Sequence, residues 1–317
     1  MSLVDQSALD ADLARLVREV RDPRAGLFGP DSMVWHLSRE AVLFLGAGRA
    51  SLLQLAHPYI GVAVGRHSVT ESNPRLRFQR TFHHIFRMTF GDLQEATDSA
   101  RAVFGTHRRI HGQLGEPVGA FPASHRYNAL DREAKVWVLA TLWDTTLWIF
   151  DQIVHPLTVA DRTRFYDEVK RFGLLFGIYD DLPANFSAFE RYVRTMLESD
   201  VLSVTTHAAA ISRVIMRPDT RPGLWLREDY GIFTAHLLPE RLVEPLGLSR
   251  GGSRGERRFV ELLDRARLLI PRLPRRLRLT PGYLAAERRM AGLRGPDWLG
   301  AYLESLYLGR RTASQAG

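Results

Sequence analysis

The feature that most limits how this chain can fold is the run from Asp131 to Pro156. It opens on a capping carboxylate, closes on a proline, and is apolar along most of its length. Its most apolar part, Val136 to Phe150, contains Asp144 and falls short of the roughly 20 apolar residues that a membrane-spanning helix needs. A helix that is apolar nearly all round belongs inside a larger body. The pattern therefore predicts a central buried helix from about Arg132 to His155, and the rest of the chain must cover it.

Helical periodicity dominates elsewhere too. Leu9, Leu13 and Leu16 share one side of a helix over Asp5 to Val20, which Asp22-Pro23 stops. Further helices are expected over Ala41 to His57, Arg75 to Phe90, Leu93 to Ile110, Thr158 to Gly177, Phe189 to Ser199 and Leu202 to Met216. Gly46, Ala47, Gly48 and Ala50 would let another backbone approach closely. Alternating strands joined by hairpin turns are not evident. The expected class is all-α: a single large helical domain with a central buried helix, globin-like in general architecture. Residues 1–30 read as an N-terminal helix, 31–295 as the main domain with a candidate break near 217–222, and 296–317 as a C-terminal helix and tail.

The chain has 317 residues and no cysteine, which excludes disulfides, iron–sulfur clusters, thiolate-ligated haem and cysteine nucleophiles. A metal would have to be held by His, carboxylate, Tyr or Met. Met1 to Asp5 has neither the basic flank nor the apolar core of a signal peptide, so a cytoplasmic location is expected. The net charge of +8 is unevenly placed: residues 250–294 hold 13 Arg against Glu256, Glu261, Asp264 and Glu287, an excess of +9. The rest of the chain is near neutral. No nucleic-acid-binding signature accompanies the basic segment, so no nucleic-acid partner is expected. The segment reads as a solvated helical surface, with peripheral membrane contact through 250–294 as the alternative.

Two stretches about 30 residues apart place polar groups in otherwise apolar helices: Arg77-Phe78-Gln79-Arg80-Thr81, and His107-Arg108-Arg109-Ile110-His111-Gly112. On a helix Arg77, Arg80, Thr81 and His84 share one face, and His107 and His111 stand one turn apart. Several readings stay open from spacing alone. One is a b-type haem held by a histidine, with Arg and Thr opposite. Another is a non-haem metal on His107 and His111, completed by Asp144 or Glu95. The bland one is surface ion pairs, with Thr81 bonded back to its own helix. Asp144 itself reads as half of a salt bridge between core helices. A phosphate-binding glycine loop and a Gly-x-Ser-x-Gly elbow are both missing.

The ordered set of motifs resembles the MpaB-like oxygenase and rubber oxygenase (latex clearing protein) catalytic-domain family. It runs from Leu52-Leu53-Gln54-Leu55-Ala56-His57-Pro58 through Val64-x-x-His67-Ser68, Arg77-x-x-Arg80-Thr81 and Gly91. It continues with His107 to Gly112, Tyr127-x-Ala129-Leu130-Asp131, Trp137 to Leu142, Gly173 to Pro183, Leu237-Leu238-Pro239 and Pro281-x-Tyr283-x-x-Ala286.

The resemblance implies an all-α fold, haem b with its iron, dioxygen as co-substrate, and a small apolar, unsaturated substrate of isoprenoid or fatty type. Oxidative C=C cleavage is the reaction it implies, with a non-catalytic haem- or ligand-binding protein as the alternative. The family's Arg-x-x-x-Thr pair falls on Arg77 and Thr81. Its axial histidine falls on His107, or on His111 with a different gap. Arg80 stands where some members carry a lysine, and Leu139 where a histidine is often found. Phe78, Phe82, Trp137 and Trp143 are the expected pocket walls.

Overall fold

A computed structural model describes residues 1–68, 73–216 and 224–293. The candidate break at 217–222 and the expected helix and tail at 296–317 lie outside the described residues.

Most helices begin where a short polar side chain can satisfy a free backbone N–H. Asp5 caps α1 (Gln6–Glu19), whose Leu9, Leu13 and Leu16 are buried, and Ser32 caps α2 (Met33–Ser38). The single helix expected over Ala41 to His57 is divided. A tight 3-10 segment, Ala41–Gly46, leads into α3 (Ala47–Leu55), and His57-Pro58 then starts α4 (Pro58–His67). The small residues there do admit close neighbours. A Cβ on Gly46 would lie 2.4 Å from Thr145 Cγ2, and one on Gly48 would lie 2.7 Å from Thr234 Oγ1.

Helices α5 (Pro74–Phe90) and α6 (Leu93–His107) are joined by Gly91 and by Asp92, which forms a capping box with Glu95. A link this short makes a helical hairpin. It sets the start of α5 beside the end of α6. The turn needs glycine, because a Cβ on Gly91 would fall 2.3 Å from the Arg87 carbonyl oxygen.

Helix α6 stops at His107, not at Ile110. Beyond it β1 (His111–Gln113) pairs antiparallel with β2 (Arg126–Asn128), a small ribbon that the sequence reading did not anticipate. The predominantly helical class stands beside it.

The central helix is α7 (Arg132–Ile149), capped by Asp131 and extended by a wider turn over Phe150–Val154 before Pro156 ends it. Then follow α8 (Val159–Val169), α9 (Phe186–Glu198), α10 (Thr206–Ile215), α11 (Leu224–His236) and α12 (Glu240–Val243). The last described helices are α13 (Gly252–Leu269), α14 (Arg275–Arg278) and α15 (Pro281–Met290). Trp137, Leu139, Trp143 and Leu147 of α7 lie in the main core, together with the three buried leucines of α1. A separate aromatic cluster joins Trp35, Phe82, Phe86, Phe90 and Tyr283 across α2, α5 and α15.

The last helices are tied back to the first third of the chain. Glu40 is fully buried and accepts two hydrogen bonds from the Arg278 guanidinium, at 2.8 and 2.9 Å. The Thr280 N–H donates to the Arg39 carbonyl at 2.7 Å beside it.

Candidate active site

The α5–α6 hairpin brings the two polar stretches together. His107, the final residue of α6, is half-buried, and its Nδ1 is sealed from solvent with no hydrogen-bond partner. The C-terminal end of a helix ordinarily favours a protonated histidine. Here burial outweighs that effect, and the nearby cations Lys135 and Arg77 act in the same direction, with His84. The imidazole is pushed down to about 3, so it is neutral across the physiological range. His84, one helical face away on α5, is pushed down to about 4 by burial, His83 and Arg87, and its Nδ1 also lacks a partner. Both rings keep a nitrogen whose hydrogen-bonding capacity nothing in the protein uses.

Arg77 donates to Thr81 Oγ1 at 2.8 Å, and Thr81 Oγ1 in turn donates to the Arg77 carbonyl at 3.0 Å. Thr81 therefore does bond back to its own helix. No carboxylate pairs with Arg77 among the described residues, and burial together with Arg80 lowers its pKa from the usual value. Arg80 itself is exposed.

One residue of this cluster was not visible in the sequence reading. Lys135, in the first turn of α7, is buried, with its Nζ 3.2 Å from the Phe176 carbonyl and 5.8 Å from the centre of the Phe104 ring. Burial and Arg132 push it down to about 8, against a smaller opposing pull from Asp131. Lys135 and His107 line the same small cavity with Phe104, Leu175 and Phe176, and it is packed too tightly to hold a water molecule. A lysine in the first turn of a helix ordinarily reads as a surface residue. What buries this one is the packing of α6 and of the segment around Leu175, which local sequence does not announce.

Three expectations are corrected. His111 does not stand one helical turn from His107: it is exposed on β1, opposite Asn128, so the two histidines do not form a ligand pair. No group of three or more His, Asp or Glu is placed to hold a metal ion among the described residues. Nor do the four aromatic residues wall one pocket. Phe78 and Phe82 stack with Phe44 on the α5 side, with ring centres 5.8 and 4.7 Å from it. Trp137 and Trp143 sit in the main core, where Trp137 Nε1 donates to the Leu53 carbonyl.

Asp144 forms the core salt bridge that was expected. Its partner is Arg49 at 2.6 Å, whose other nitrogens bond Thr145 Oγ1 and the Leu237 carbonyl. More than two turns of α7 separate it from Lys135. There Asp144, Asp151 and Arg162, together with Trp148, Phe186 and Phe189, line a larger groove of about 190 Å3. Charged and aromatic side chains share its lining.

Comparison with known proteins identifies the family. Residues 34–285 match the family described as ER-bound oxygenase mpaB/B'/rubber oxygenase, catalytic domain, and the chain belongs to that family. It carries an oxygenase catalytic domain. Two uncharacterized proteins, one from Mycobacterium bovis and one from Mycobacterium tuberculosis, are each 27% identical to it over 239 residues, covering 71% of this chain and 88% of theirs. No solved structure matches it.

Proposed function

We propose that the protein is a b-type haem-dependent oxygenase acting on a small apolar, unsaturated substrate of isoprenoid or fatty type, with oxidative C=C cleavage as the outcome. The observation that carries the reading is the environment of His107. A buried imidazole held neutral, with a nitrogen that nothing else uses, is the form that binds iron.

The donor set suits a haem. His107 offers the ligand. Arg77, a half-buried guanidinium without a carboxylate partner among the described residues, would offer a counter-charge for the group's acidic periphery. Arg80 adds a second guanidinium toward solvent. The space is tight: the crevice at His107 has no room even for a water molecule, against the roughly 300 Å3 at which ligand pockets begin, so a macrocycle needs the packing there to open. When bound, haem supplies the iron at which dioxygen is activated, and an imidazole-ligated iron pushes less electron density than a thiolate-ligated one.

The chain's own contribution is electrostatic and steric. Burial keeps His107 unprotonated at neutral pH, and Lys135 and Arg77 act in the same direction. Thr81 holds the Arg77 guanidinium in place through its hydroxyl. The apolar residues around the cavity, Phe104, Leu175 and Phe176, exclude water, which strengthens every charge interaction inside.

The test is the absorption spectrum of the purified protein, alone and after adding haemin. A Soret band lost in His107→Ala and kept in His111→Ala supports the reading. A colourless protein that takes up no haemin sinks it.

A further inference from the structure

We infer that the corner formed by the end of α13, the turn after it and α14 docks peripherally on an anionic phospholipid bilayer. The binding needs no haem, so it stands or fails independently of the proposed oxygenase chemistry.

From Arg265 to Leu277 the chain reads Arg-Ala-Arg-Leu-Leu-Ile-Pro-Arg-Leu-Pro-Arg-Arg-Leu, with five arginines and no acidic residue. Its leucines are not turned into the core. Leu268 is 56% exposed, Leu269 57% and Leu277 57%, among the most exposed large apolar side chains described. Scattered exposed leucines are ordinary, but two ending α13 and a third on α14, in a run of 13 residues with five arginines, are not. Apolar side chains that can enter the headgroup boundary, flanked by cations that meet anionic headgroups, are the chemistry of interfacial binding.

The composition changes abruptly along the same helix. Up to Asp264 α13 carries Glu256, Glu261 and Asp264 around the exposed Val260, and the acid-free run begins only at Arg265, with Glu261 and Asp264 still near Arg265 and Arg267 at its edge. The exposure is also built in. Arg267 donates to the Gln152 carbonyl at 2.7 Å and Arg275 pairs with Glu287 at 2.7 Å. Together with the Arg278–Glu40 bonds, these hold the turn from both sides, so the leucines project from an anchored element. No described helix is long and apolar enough to cross a membrane. Nucleic acid is the poorer partner. The segment has no aromatic side chain to stack on bases, and phosphate binding alone would not call for exposed leucines.

The experiment is co-sedimentation of the full chain with vesicles of phosphatidylcholine, and with vesicles in which about a third is phosphatidylglycerol. Binding should be at least tenfold tighter to the anionic vesicles and weaken as salt is raised. Arg265→Gln with Arg272→Gln should cost roughly fivefold per arginine, about thirtyfold together. Leu268→Ser with Leu269→Ser and Leu277→Ser should abolish the binding that survives at high salt. These side chains are exposed, so melting curves should not move, which separates lost docking from misfolding. Equal affinity for both vesicle types, no binding to either, or leucine variants that bind like the parent would overturn the proposal. So would binding to a soluble polyanion such as RNA at the affinity seen for anionic vesicles.

Discussion

Lys135 and His107 face the same small cavity, a buried ammonium and a neutral imidazole, with no ion-pair partner for the lysine among the described residues. The pair is electrostatically costly. Proteins keep such arrangements where a ligand or a reaction offsets the cost.

Lys135→Met should stabilise the fold at neutral pH. The unfolded lysine titrates near 10.5 and the folded one near 8, so below pH 8 both forms are charged and the burial cost is felt in full. A shift of that size corresponds to an upper bound of about 3 kcal/mol. Losing the bond to the Phe176 carbonyl takes back roughly 1 kcal/mol. Urea denaturation at pH 7 should show a net gain of about 1–2 kcal/mol, shrinking toward zero or below as the pH rises past 10. A loss at pH 7 would mean that the ammonium has a stabilising partner in the folded state.

His57 gives the opposite side of the pH profile. It is buried at the start of α4 with an unpaired Nδ1, and burial alone pushes it down to about 4. Between pH 6.5 and 4 only the unfolded chain takes up this proton, so stability is complete above 6.5 and falls with decreasing pH. The loss amounts to about 3 kcal/mol at most by pH 4. In His57→Gln the slope of unfolding free energy against pH over this window should be visibly shallower.

Replacing the proposed iron ligand should separate the two histidines that the sequence left as alternatives. His107→Ala should weaken haemin binding at least tenfold, read by titration at the Soret band, with His111→Ala within twofold of the parent. If His111→Ala is the damaging change, the ribbon rather than the hairpin holds the cofactor.

Arg278→Leu should cost about 3–5 kcal/mol, because it leaves the fully buried Glu40 without its bidentate partner. Thermal melting measures it. The double variant Glu40→Leu with Arg278→Leu should recover much of the loss, since the penalty belongs to a buried carboxylate left with only Arg39, at 3.5 Å, beside it.

The sequence exposed much of the helical frame because its helix starts are chemically marked. Asp131 and Thr158 each cap the helix expected to start there. The stop of α6 at His107 was not legible. The β1 and β2 strands are three residues each, too short for a period, and they pair across a loop that holds no repeating pattern. That hidden ribbon is why His107 and His111 looked like one helical face. For Asp144 the ion pair was foreseeable, but its partner Arg49 lies 95 positions away, and local sequence carries no information on that distance.

The Glu40–Arg278 bond joins positions 238 residues apart, and the Thr280–Arg39 hydrogen bond doubles it. Seen as topology, the chain is closed nearly into a ring, with early and late segments forming one seam. Unfolding should accordingly be a single cooperative event, and trimming the chain before Arg278 should not leave a smaller folded core. The seam also fixes the arginine-rich corner relative to the α5–α6 hairpin, so a molecule resting on that corner would present the polar cluster of His107 and Arg77 to the surface at one set orientation.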